Sequence, residues 1–262
     1  MSVFEALVLG VLQGIAEFIP ISSSGHLLLL QQIFGIEENL FTFTIVVHVG
    51  TLIPVLVIYF NRVKSLIRNP FQKMTLLLIL GILPTVVVTL LFRDFIDRLF
   101  TGEFLAIGFL VTAVLLFVID RSQSGRKKVR DISYFDAVFV GIIQAVAIAP
   151  GVSRSGSTIF GGVVRGFDKK SAANFSFLLS IPAIIGATML EIFSIATGET
   201  ATEFLLSTPV IVGFFSSMIA GYLAIKAMLK LIVVSKLKYF AYYLIVLGLF
   251  MLADQLFFNI VF

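Results

Sequence analysis

Cysteine is absent from this 262-residue chain, and charged residues are scarce. The missing cysteines exclude disulfides and thiolate chemistry. Charged residues make up 13% of the chain, whereas a typical soluble domain carries about 25%. Hydrophobic residues make up 59%, and the mean hydropathy is +1.09. This composition predicts an integral membrane protein rather than an unusually apolar soluble one.

The sequence also lacks the signatures of a nucleic-acid-binding protein and of a cleaved signal peptide. The formal charge of +4 does not indicate nucleic-acid binding, because the basic residues sit in short loops between apolar runs. The first residues lack the basic region and the small-residue cleavage site of a signal peptide. We therefore expect the N-terminal segment to belong to the mature protein.

Apolar runs predict an all-α polytopic membrane protein. Six runs approach the roughly 20 residues that cross a bilayer, and they lie at about 40–60, 74–92, 104–119, 173–195, 209–230 and 240–260. Two further apolar stretches, at about 3–20 and 135–165, are interrupted by Pro20 and Pro150 and by Ser/Gly clusters. We therefore expect two broken segments beside six spanning helices.

Basic residues predict the orientation, because Lys and Arg collect in cytoplasmic loops. They form four clusters: Arg62, Lys64, Arg68 and Lys73; Arg121, Arg126, Lys127, Lys128 and Arg130; Arg165, Lys169 and Lys170; Lys226, Lys230, Lys236 and Lys238. With all four clusters inside, the six spans alternate and both termini lie outside. The outer loops are then mostly acidic: Glu37, Glu38, Asp94, Asp97, Glu103, Glu199 and Glu203. Arg154 belongs to neither set.

The chain also repeats itself. FEALVLGVLQGIAEFIPISSSGH, from Phe4, aligns with FDAVFVGIIQAVAIAPGVSRSGS, from Phe135, at a constant offset of 131 residues. Each half then contains one broken segment and three spans, and because three is odd, the second half is inverted relative to the first. We expect one membrane domain, 1–262, built of two inverted repeats at about 1–131 and 132–262.

Inverted repeats with broken helices place a polar site where the two halves meet in the membrane. Non-helical backbone at that depth must be buried in protein or line a wet cavity. The broken segments therefore predict two re-entrant helical hairpins whose tips, SSSGH and SRSG, approach each other. The alternative is that both segments are ordinary surface loops.

The two tips gather side chains suited to an oxyanion. Arg154 can donate to a phosphate through two N–H groups at once. Hydroxyls and the backbone amides of a helix start add donors, and glycine lets the backbone approach closely. We predict a phosphate cradle around Arg154 made of Gln13, Ser22, Ser24, Gly25, Ser153, Ser155, Gly156 and Thr158. The alternative is that Arg154 only caps helix ends or pairs with Glu17.

Glu17, Ser23 and His26 add catalytic residue types. His26, beside the serine run, is a candidate for proton transfer or nucleophilic attack. Glu17 could act as a base, orient His26, or bind a divalent cation, Mg²⁺ or Ca²⁺, that bridges phosphates. Substrate oxygens would have to complete such a metal site. His48 lies within a span, and we interpret it as a buried, hydrogen-bonded residue whose depth could bring it near the site.

Three motifs, QGIAE at 13–17, PISSSGH at 20–26 and PGVSRSGST at 150–158, together with NFSFLLSIP at 174–182, resemble the undecaprenyl-diphosphate phosphatase family, also called bacitracin-resistance proteins. The resemblance covers essentially the whole chain. It implies six spans, two re-entrant hairpins, and hydrolysis of undecaprenyl diphosphate to the monophosphate at the outer face of the bacterial inner membrane. This reaction recycles the lipid carrier for peptidoglycan synthesis and confers bacitracin resistance.

The resemblance carries the family's site roles, by motif position, to Gln13, Glu17, Ser22, Ser23, Ser24, His26, Ser153, Arg154, Ser155 and Thr158. It implies a polyprenyl diphosphate substrate in a lipid environment and no organic cofactor; a homo-oligomer is left open. Two positions depart from the pattern. Gln13 stands where many relatives have Glu, which weakens a two-carboxylate metal site. Lys169 stands where Arg is frequent, and we expect this to change only interfacial charge.

The mechanism stays open between a seryl-phosphate, a histidyl-phosphate and direct attack by water. We favour Ser23 as nucleophile, with His26 as proton carrier and Glu17 tuning the pair. A lipid-phosphate transporter or flippase is the main alternative, since inverted repeats with broken helices suit alternating access. Transport would need only Arg154 and hydroxyls, so Glu17 and His26 favour the phosphatase. A structural scaffold would not explain two polar hairpins.

The orientation can be tested with a reporter enzyme that is active only outside the cytoplasm. Fused to the C-terminus at Phe262, it should be active in whole cells, because the charge distribution places that end outside. A control fusion within the second basic cluster, after Arg126, should be inactive. The opposite pattern would reverse the predicted orientation.

Overall fold

The computed structural model describes residues 1–36, 40–196 and 207–258. In these ranges the chain is helical, and its α-helices are α1 Val3–Phe18, α2 Ser23–Ile33, α3 Leu40–Ile58, α4 Phe60–Arg68, α5 Lys73–Leu91, α6 Arg93–Leu99, α7 Leu105–Arg121, α8 Tyr134–Val146, α9 Arg154–Val164, α10 Lys169–Ala196, α11 Thr208–Leu231 and α12 Lys238–Ala253. Four acidic residues expected in outer loops lie outside the described residues: Glu37, Glu38, Glu199 and Glu203.

Several helices are suited to a membrane. Within the described ranges four are long and apolar enough to cross it: Lys73–Leu91, Lys169–Leu190, Thr208–Leu231 and Lys238–Phe257. A fifth is available if α3 and α4 form one span, although Thr42–Ile58 and Phe60–Arg68 are bent by 88°. The all-α, multi-pass class is confirmed, with four or five membrane-length helices by this criterion. The remaining predicted span, at about 104–119, corresponds to α7, which has 17 residues, or about 25 Å of helix.

Each interrupted stretch forms two short helices, α1 with α2 and α8 with α9. The second helix of each pair has 11 residues, and Arg154, which begins α9, lies 131 positions after Ser23, which begins α2. Both first helices begin with a capping box, in which a serine and an acidic residue three positions later bond to each other's backbone N–H. The local structure therefore follows the sequence repeat.

Helices of the two halves pack against each other. The first short helix, α1, packs mainly on α11, while its counterpart α8 packs mainly on α5. The remaining long helices also pair across the halves, α3 with α10 and α11, and α7 with α12. Each broken segment is therefore held by the second long helix of the opposite half.

The four basic clusters meet at one end of the molecule. Three hydrogen bonds join them in order: Lys73 Nζ to the Arg130 carbonyl (3.2 Å), Lys127 N to the Gly166 carbonyl (3.0 Å), and Lys169 Nζ to Ser235 Oγ (2.8 Å), beside Lys236. Since these bonds connect all four loops, the basic residues share one face, as the orientation argument requires.

The expectation that Lys169 changes only interfacial charge is wrong. Its side chain is buried, and Nζ donates to the Asp120 carbonyl (3.1 Å) as well as to Ser235. A buried ammonium group is costly unless its N–H groups are bonded. Lys169 therefore ties the start of α10 to the end of α7 and to the turn before α12.

Glycine at position 14 sets the contact between α1 and α11. A Cβ there would lie 2.5 Å from the Ser217 carbonyl oxygen and 2.7 Å from Gly221 N, both backbone atoms. We expect Gly14→Ala to lower the free energy of unfolding by about 1–3 kcal/mol, the usual cost of overpacking. The measurement is the thermal unfolding midpoint in detergent.

The matched control is Gly186→Ala in α10, because a Cβ at Gly186 meets nothing within 4 Å. Alanine is a better helix former than glycine, so this variant should unfold at the parent's temperature or above it. Equal midpoints for the two variants would contradict the close packing of α1 on α11.

Candidate active site

The two helix breaks contact each other inside the molecule. A Cβ on Gly25 would lie 2.8 Å from Gly151 N, and a Cβ on Gly156 would lie 3.4 Å from Pro20 Cβ. The SSSGH turn therefore packs directly on the turn that contains SRSG, as the repeat argument predicts. Glycine is needed at position 25, since any side chain there would displace the opposite backbone.

Serine hydroxyls cap the helices that begin at this junction. Ser22 Oγ accepts from Gly25 N, and Ser153 Oγ accepts from Gly156 N, so α2 and α9 have equivalent cap hydrogen bonds. The backbone differs, because φ is +71° at Ser22 and −73° at Ser153. Thr112 Oγ1 of α7 accepts from Ser153 N (2.9 Å) and donates to the Gly151 carbonyl (2.8 Å). Backbone groups freed by the break are thereby bonded, as burial in a membrane requires.

An ion pair connects the two tips. Glu17, in the last turn of α1, binds Nη2 of Arg154, the first residue of α9, through Oε1. Glu17 is 6% exposed and Arg154 is 20% exposed. Charges at this depth require a partner, and the pairing named above as an alternative for Arg154 does occur. Arg154 also donates from Nη1 to the Ser176 carbonyl oxygen (3.5 Å), and one-fifth of its side chain remains exposed.

Glu17 Oε2 collects the remaining contacts. It accepts from Gln13 Nε2 (3.0 Å) and from Ser23 Oγ (2.8 Å). His48 Nε2 of α3 lies 3.6 Å from the same oxygen. A nucleophilic hydroxyl needs an adjacent acceptor for its proton, and the contact between Ser23 and Glu17 has this geometry.

The structure does not place His26 on Ser23 or on Glu17. Nδ1 of His26 lies 2.8 Å from the Ser22 carbonyl oxygen, and Nε2 lies 2.8 Å from the Tyr243 hydroxyl. Tyr243 also stacks on the imidazole. Because both ring nitrogens are engaged, the expected transfer of the Ser23 proton to His26 does not fit this arrangement. The helix turn after Ser22 aims His26 at α12 instead.

The expected cradle is only partly accessible. The polar members Ser22, Ser153, Ser155 and Thr158 are each 2% exposed or less and serve as caps and internal bonds. Gln13 is fully buried and donates to Glu17 rather than facing the cleft. Of the polar side chains predicted for the site, Ser23, Ser24 and Arg154 are partly exposed. These three are therefore the groups that an anion would meet first.

The side chains present do not fit a resident metal ion. No group of three or more His, Asp or Glu suited to a metal occurs in the described ranges. Both oxygens of Glu17 already accept hydrogen bonds, and Gln13 Oε1, buried without a partner, adds one neutral oxygen. Mg²⁺ and Ca²⁺ take about six or more oxygen ligands, so one paired carboxylate and one amide are too few.

An apolar groove of about 540 Å³ lies elsewhere, between α1 and α11. It is lined by Leu7, Val11, Ile15, Ile19, Ser216, Ile219, Ala220, Leu223, Ala224 and Ala227. Ile15 and Ile19 project from the opposite side of α1 to Glu17, so the groove is separate from the polar site. Its lining suits a hydrocarbon chain and not a phosphate.

Known proteins match this chain over nearly its whole length. The family model for bacitracin resistance protein BacA matches residues 6–250. The chain belongs to the BacA family. An undecaprenyl-diphosphatase of Carboxydothermus hydrogenoformans is 45% identical over 97% of this chain and 98% of its own length. Undecaprenyl-diphosphatase 4 of Bacillus thuringiensis subsp. konkukian is 44% identical over the same shares, and a Halothermothrix orenii undecaprenyl-diphosphatase is 40% identical over 95% and 96%.

The site of this BacA-family chain includes residues to which the sequence analysis gave no role. Thr112, Ser176 and Tyr243 each bond to a tip residue from a long helix. Their signal in the sequence is weak, since each is one hydroxyl within an apolar run. Polar groups inside a membrane helix are expensive enough to merit a search for partners, but sequence alone does not name the partner.

Removing the Tyr243 hydroxyl tests its bond to His26. Tyr243→Phe keeps the stacked ring and leaves Nε2 of a buried imidazole without a donor, which costs about 1–3 kcal/mol. We expect a lower thermal unfolding midpoint in detergent. The control is Tyr242→Phe, at the preceding residue, whose ring packs against Phe117. This variant should unfold like the parent. Equal behaviour of both variants would show that the His26 contact carries no stability.

Proposed function

We propose that this protein is an integral membrane phosphatase that hydrolyses undecaprenyl diphosphate to undecaprenyl phosphate and inorganic phosphate. Relatives that align over nearly their full length are named for this activity. One set of contacts supports the assignment of this activity to particular residues. Ser23 Oγ donates to Glu17, and Glu17 forms an ion pair with Arg154. Nucleophile, base and phosphate-binding cation thus lie together at the junction of the two tips.

The proposed reaction starts when the terminal phosphate reaches the exposed edge of Arg154. Ser23 Oγ attacks the terminal phosphorus, and its proton passes to Glu17 Oε2. The bond from that phosphorus to the bridging oxygen breaks, and undecaprenyl phosphate leaves with the bond's electron pair. Arg154 and the amides at the start of α9 stabilise charge on the phosphoryl oxygens. Water then attacks the phosphorus of the seryl-phosphate, the bond from that phosphorus to Ser23 Oγ breaks, Oγ takes back the proton from Glu17, and inorganic phosphate leaves.

A serine nucleophile is favoured over the other two modes of attack. The Ser23 hydroxyl already points at an acceptor, 2.8 Å from Glu17 Oε2. A histidyl-phosphate would require His26 to give up the Tyr243 hydroxyl that now occupies Nε2. In this proposal His26 holds the first tip against α12 and does not carry the proton.

In the proposed reaction a divalent cation binds only together with the substrate. Mg²⁺ or Ca²⁺ bound to the diphosphate would take most of its ligands from phosphate oxygens, with Glu17 as the nearby carboxylate. The chain's own donors are too few to hold the ion beforehand. Metal added without substrate is therefore expected to bind weakly.

For the membrane arrangement we propose one domain of two inverted repeats, with six spans and two re-entrant hairpins. Three features support it: the exchanged packing of α1 on α11 and α8 on α5, the matching capped starts of α2 and α9, and the single basic end. The basic end would face the cytoplasm and the substrate would enter from the outer side of the inner membrane. The prenyl tail stays in lipid between the helices.

The phosphatase is favoured over the lipid-phosphate transporter. The pairing of Ser23 with Glu17 is needed for attack on phosphorus but not for binding and moving a lipid phosphate. In the cell, the proposed reaction returns the lipid carrier to peptidoglycan synthesis. Bacitracin resistance, the property for which the family is named, would follow from that supply of monophosphate.

The decisive assay is phosphate release from a polyprenyl diphosphate by the detergent-purified protein, with and without Mg²⁺ or Ca²⁺. Arg154→Ala should lower the rate by about a hundredfold or more, the usual loss for a key oxyanion donor. Arg154→Lys keeps the positive charge but lacks the planar guanidinium that can donate two hydrogen bonds at once. Its rate should therefore lie between those of the parent and of Arg154→Ala. Arg98→Ala, in α6 at the outer end, is the matched control and should keep the parent's rate.

Arg154→Ala also leaves Glu17 unpaired in the interior, which costs about 3–5 kcal/mol. Each variant is therefore first shown to be folded by its thermal unfolding. A folded parent that releases no phosphate under any of these conditions would overturn the phosphatase and favour the transporter.

A further inference from the structure

The short helix α4, at the basic end, differs from its neighbours in direction. Thr42–Ile58 and Phe60–Arg68 are bent by 88°, and α3 alone has 19 residues, about 28 Å of helix. The hydrocarbon core of a bilayer is about 30 Å thick, so α3 can cross it without α4. With α3 across the bilayer, α4 runs nearly parallel to the membrane surface.

Contacts with the rest of the protein fix this bend. The hydroxyl of Tyr59, the residue between the two helices, donates to Asn174 Oδ1 of α10 (2.6 Å). Leu66 of α4 packs against the hydrophobic core. No residue of α4 is buried, so the helix is attached along one side and open along the others.

The open sides of α4 separate apolar residues from basic ones. Phe60, Val63 and Ile67 follow one another at intervals of three and four residues, so they share one face of the helix. Phe60 is 61% exposed and Ile67 is 75% exposed. Lys64 and Arg68, each one position after an apolar residue, lie along the edge of that face. A helix with an apolar face and a basic edge is suited to the interface between lipid and water.

The positive charge of α4 is not balanced by the protein. The sequence contains no Asp or Glu between Glu38 and Asp94. Arg62, Lys64 and Arg68 are all exposed, and within the ranges that the structure describes they form no ion pair. Their charge is therefore available to an anion outside the chain.

The second and third basic clusters differ, because they contain ion pairs. Lys127 and Arg165 both bind Asp136. Lys128 binds Asp168. The charge of these clusters is partly cancelled inside the protein, whereas that of α4 is not.

We propose that α4 is a binding site for anionic phospholipids at the membrane surface. Phe60 and Ile67 enter the lipid, and the three bases of α4 contact the headgroup phosphates. Apolar burial and electrostatic attraction both strengthen such binding, and each Lys or Arg near an anionic surface adds to it. A lipid fits better than an acidic protein, because the apolar and basic residues lie side by side on a helix that begins where a membrane-length helix ends.

A single fluorescent probe tests the contact with lipid. The chain contains no tryptophan, so Ile67→Trp introduces one on α4. The variant is reconstituted in phosphatidylcholine vesicles that contain the same fraction of either brominated phosphatidylglycerol or brominated phosphatidylcholine, since bromine quenches tryptophan on contact. We expect quenching by both lipids, with an apparent affinity about fivefold or more higher for phosphatidylglycerol. Added salt should reduce this preference, because it screens the charges.

Phe250→Trp is the matched probe on α12. Phe250 is 64% exposed and lies 12 residues after Lys238, about 18 Å along the helix from the basic end. Its tryptophan should be quenched equally by the two brominated lipids, because no basic residue lies beside it on α12.

Charge removal tests whether the bases of α4 cause the preference. Replacing all three with glutamine should abolish the preference for phosphatidylglycerol at position 67 and leave quenching by phosphatidylcholine in place. The control removes the same charge from the fourth basic cluster at the same end of the molecule, by Lys230→Gln, Lys236→Gln and Lys238→Gln together. The control should keep the preference, since those bases lie on other segments of the chain.

Two results would overturn the proposal. A tryptophan at position 67 that bromine does not quench, while Phe250→Trp is quenched, would show that α4 faces water or a protein instead. Equal quenching by the two lipids would show contact with lipid but no site for an anionic headgroup. Thermal unfolding first shows that each variant is folded, and none of these measurements depends on hydrolysis, so they stand or fall apart from the proposed phosphatase.

Discussion

The Glu17 carboxylate is the group around which the interior is organised. It accepts hydrogen bonds from α1, α2 and α9 and faces the histidine of α3. A charge in this position is tolerable only when several donors surround it at once. The same requirement brings Ser23 and Arg154 together, so the contacts that stabilise the buried carboxylate also assemble the groups of the proposed reaction.

The broken helices create a second demand, because every interruption frees backbone N–H and C=O groups. Ser22 and Ser153 cap the new helix starts, and Thr112 bonds to the second turn from α7. Most hydroxyls of the two tips are used in this way and are buried. The accessible polar groups that remain are few, and Arg154 with Ser23 stands among them. Some serines of each run therefore bond to the backbone at the break, while others remain accessible at the site.

The two repeats are most similar at the capped helix starts, where both halves must bond the backbone groups freed by the break. They differ at the charged positions. Both tips have a capping serine three residues before a glycine. The last turn of the helix before the first break contains Glu17, however, whereas the matching position 148 is isoleucine, and Arg154 takes the place of Ser23. At the first residues of these helices, Asp136 is fully buried between Lys127 and Arg165, while its counterpart Glu5 is partly exposed and bonds within its own capping box. One copy supplies the carboxylate and the Ser23 hydroxyl, and the other supplies the guanidinium.

The sequence by itself determined the helical membrane class, the two breaks at Pro20 and Pro150, the motifs that meet at them and the basic end, because these follow from hydropathy, charge and repeated spacing along the chain. It could not decide which histidine faces Glu17, nor that Lys169 is buried. Those outcomes depend on the face that each helix presents to a neighbour distant in sequence. His26 follows the turn after Ser22 toward Tyr243, and His48 meets Glu17 because α3 packs beside α1. Only the tertiary structure sets that packing.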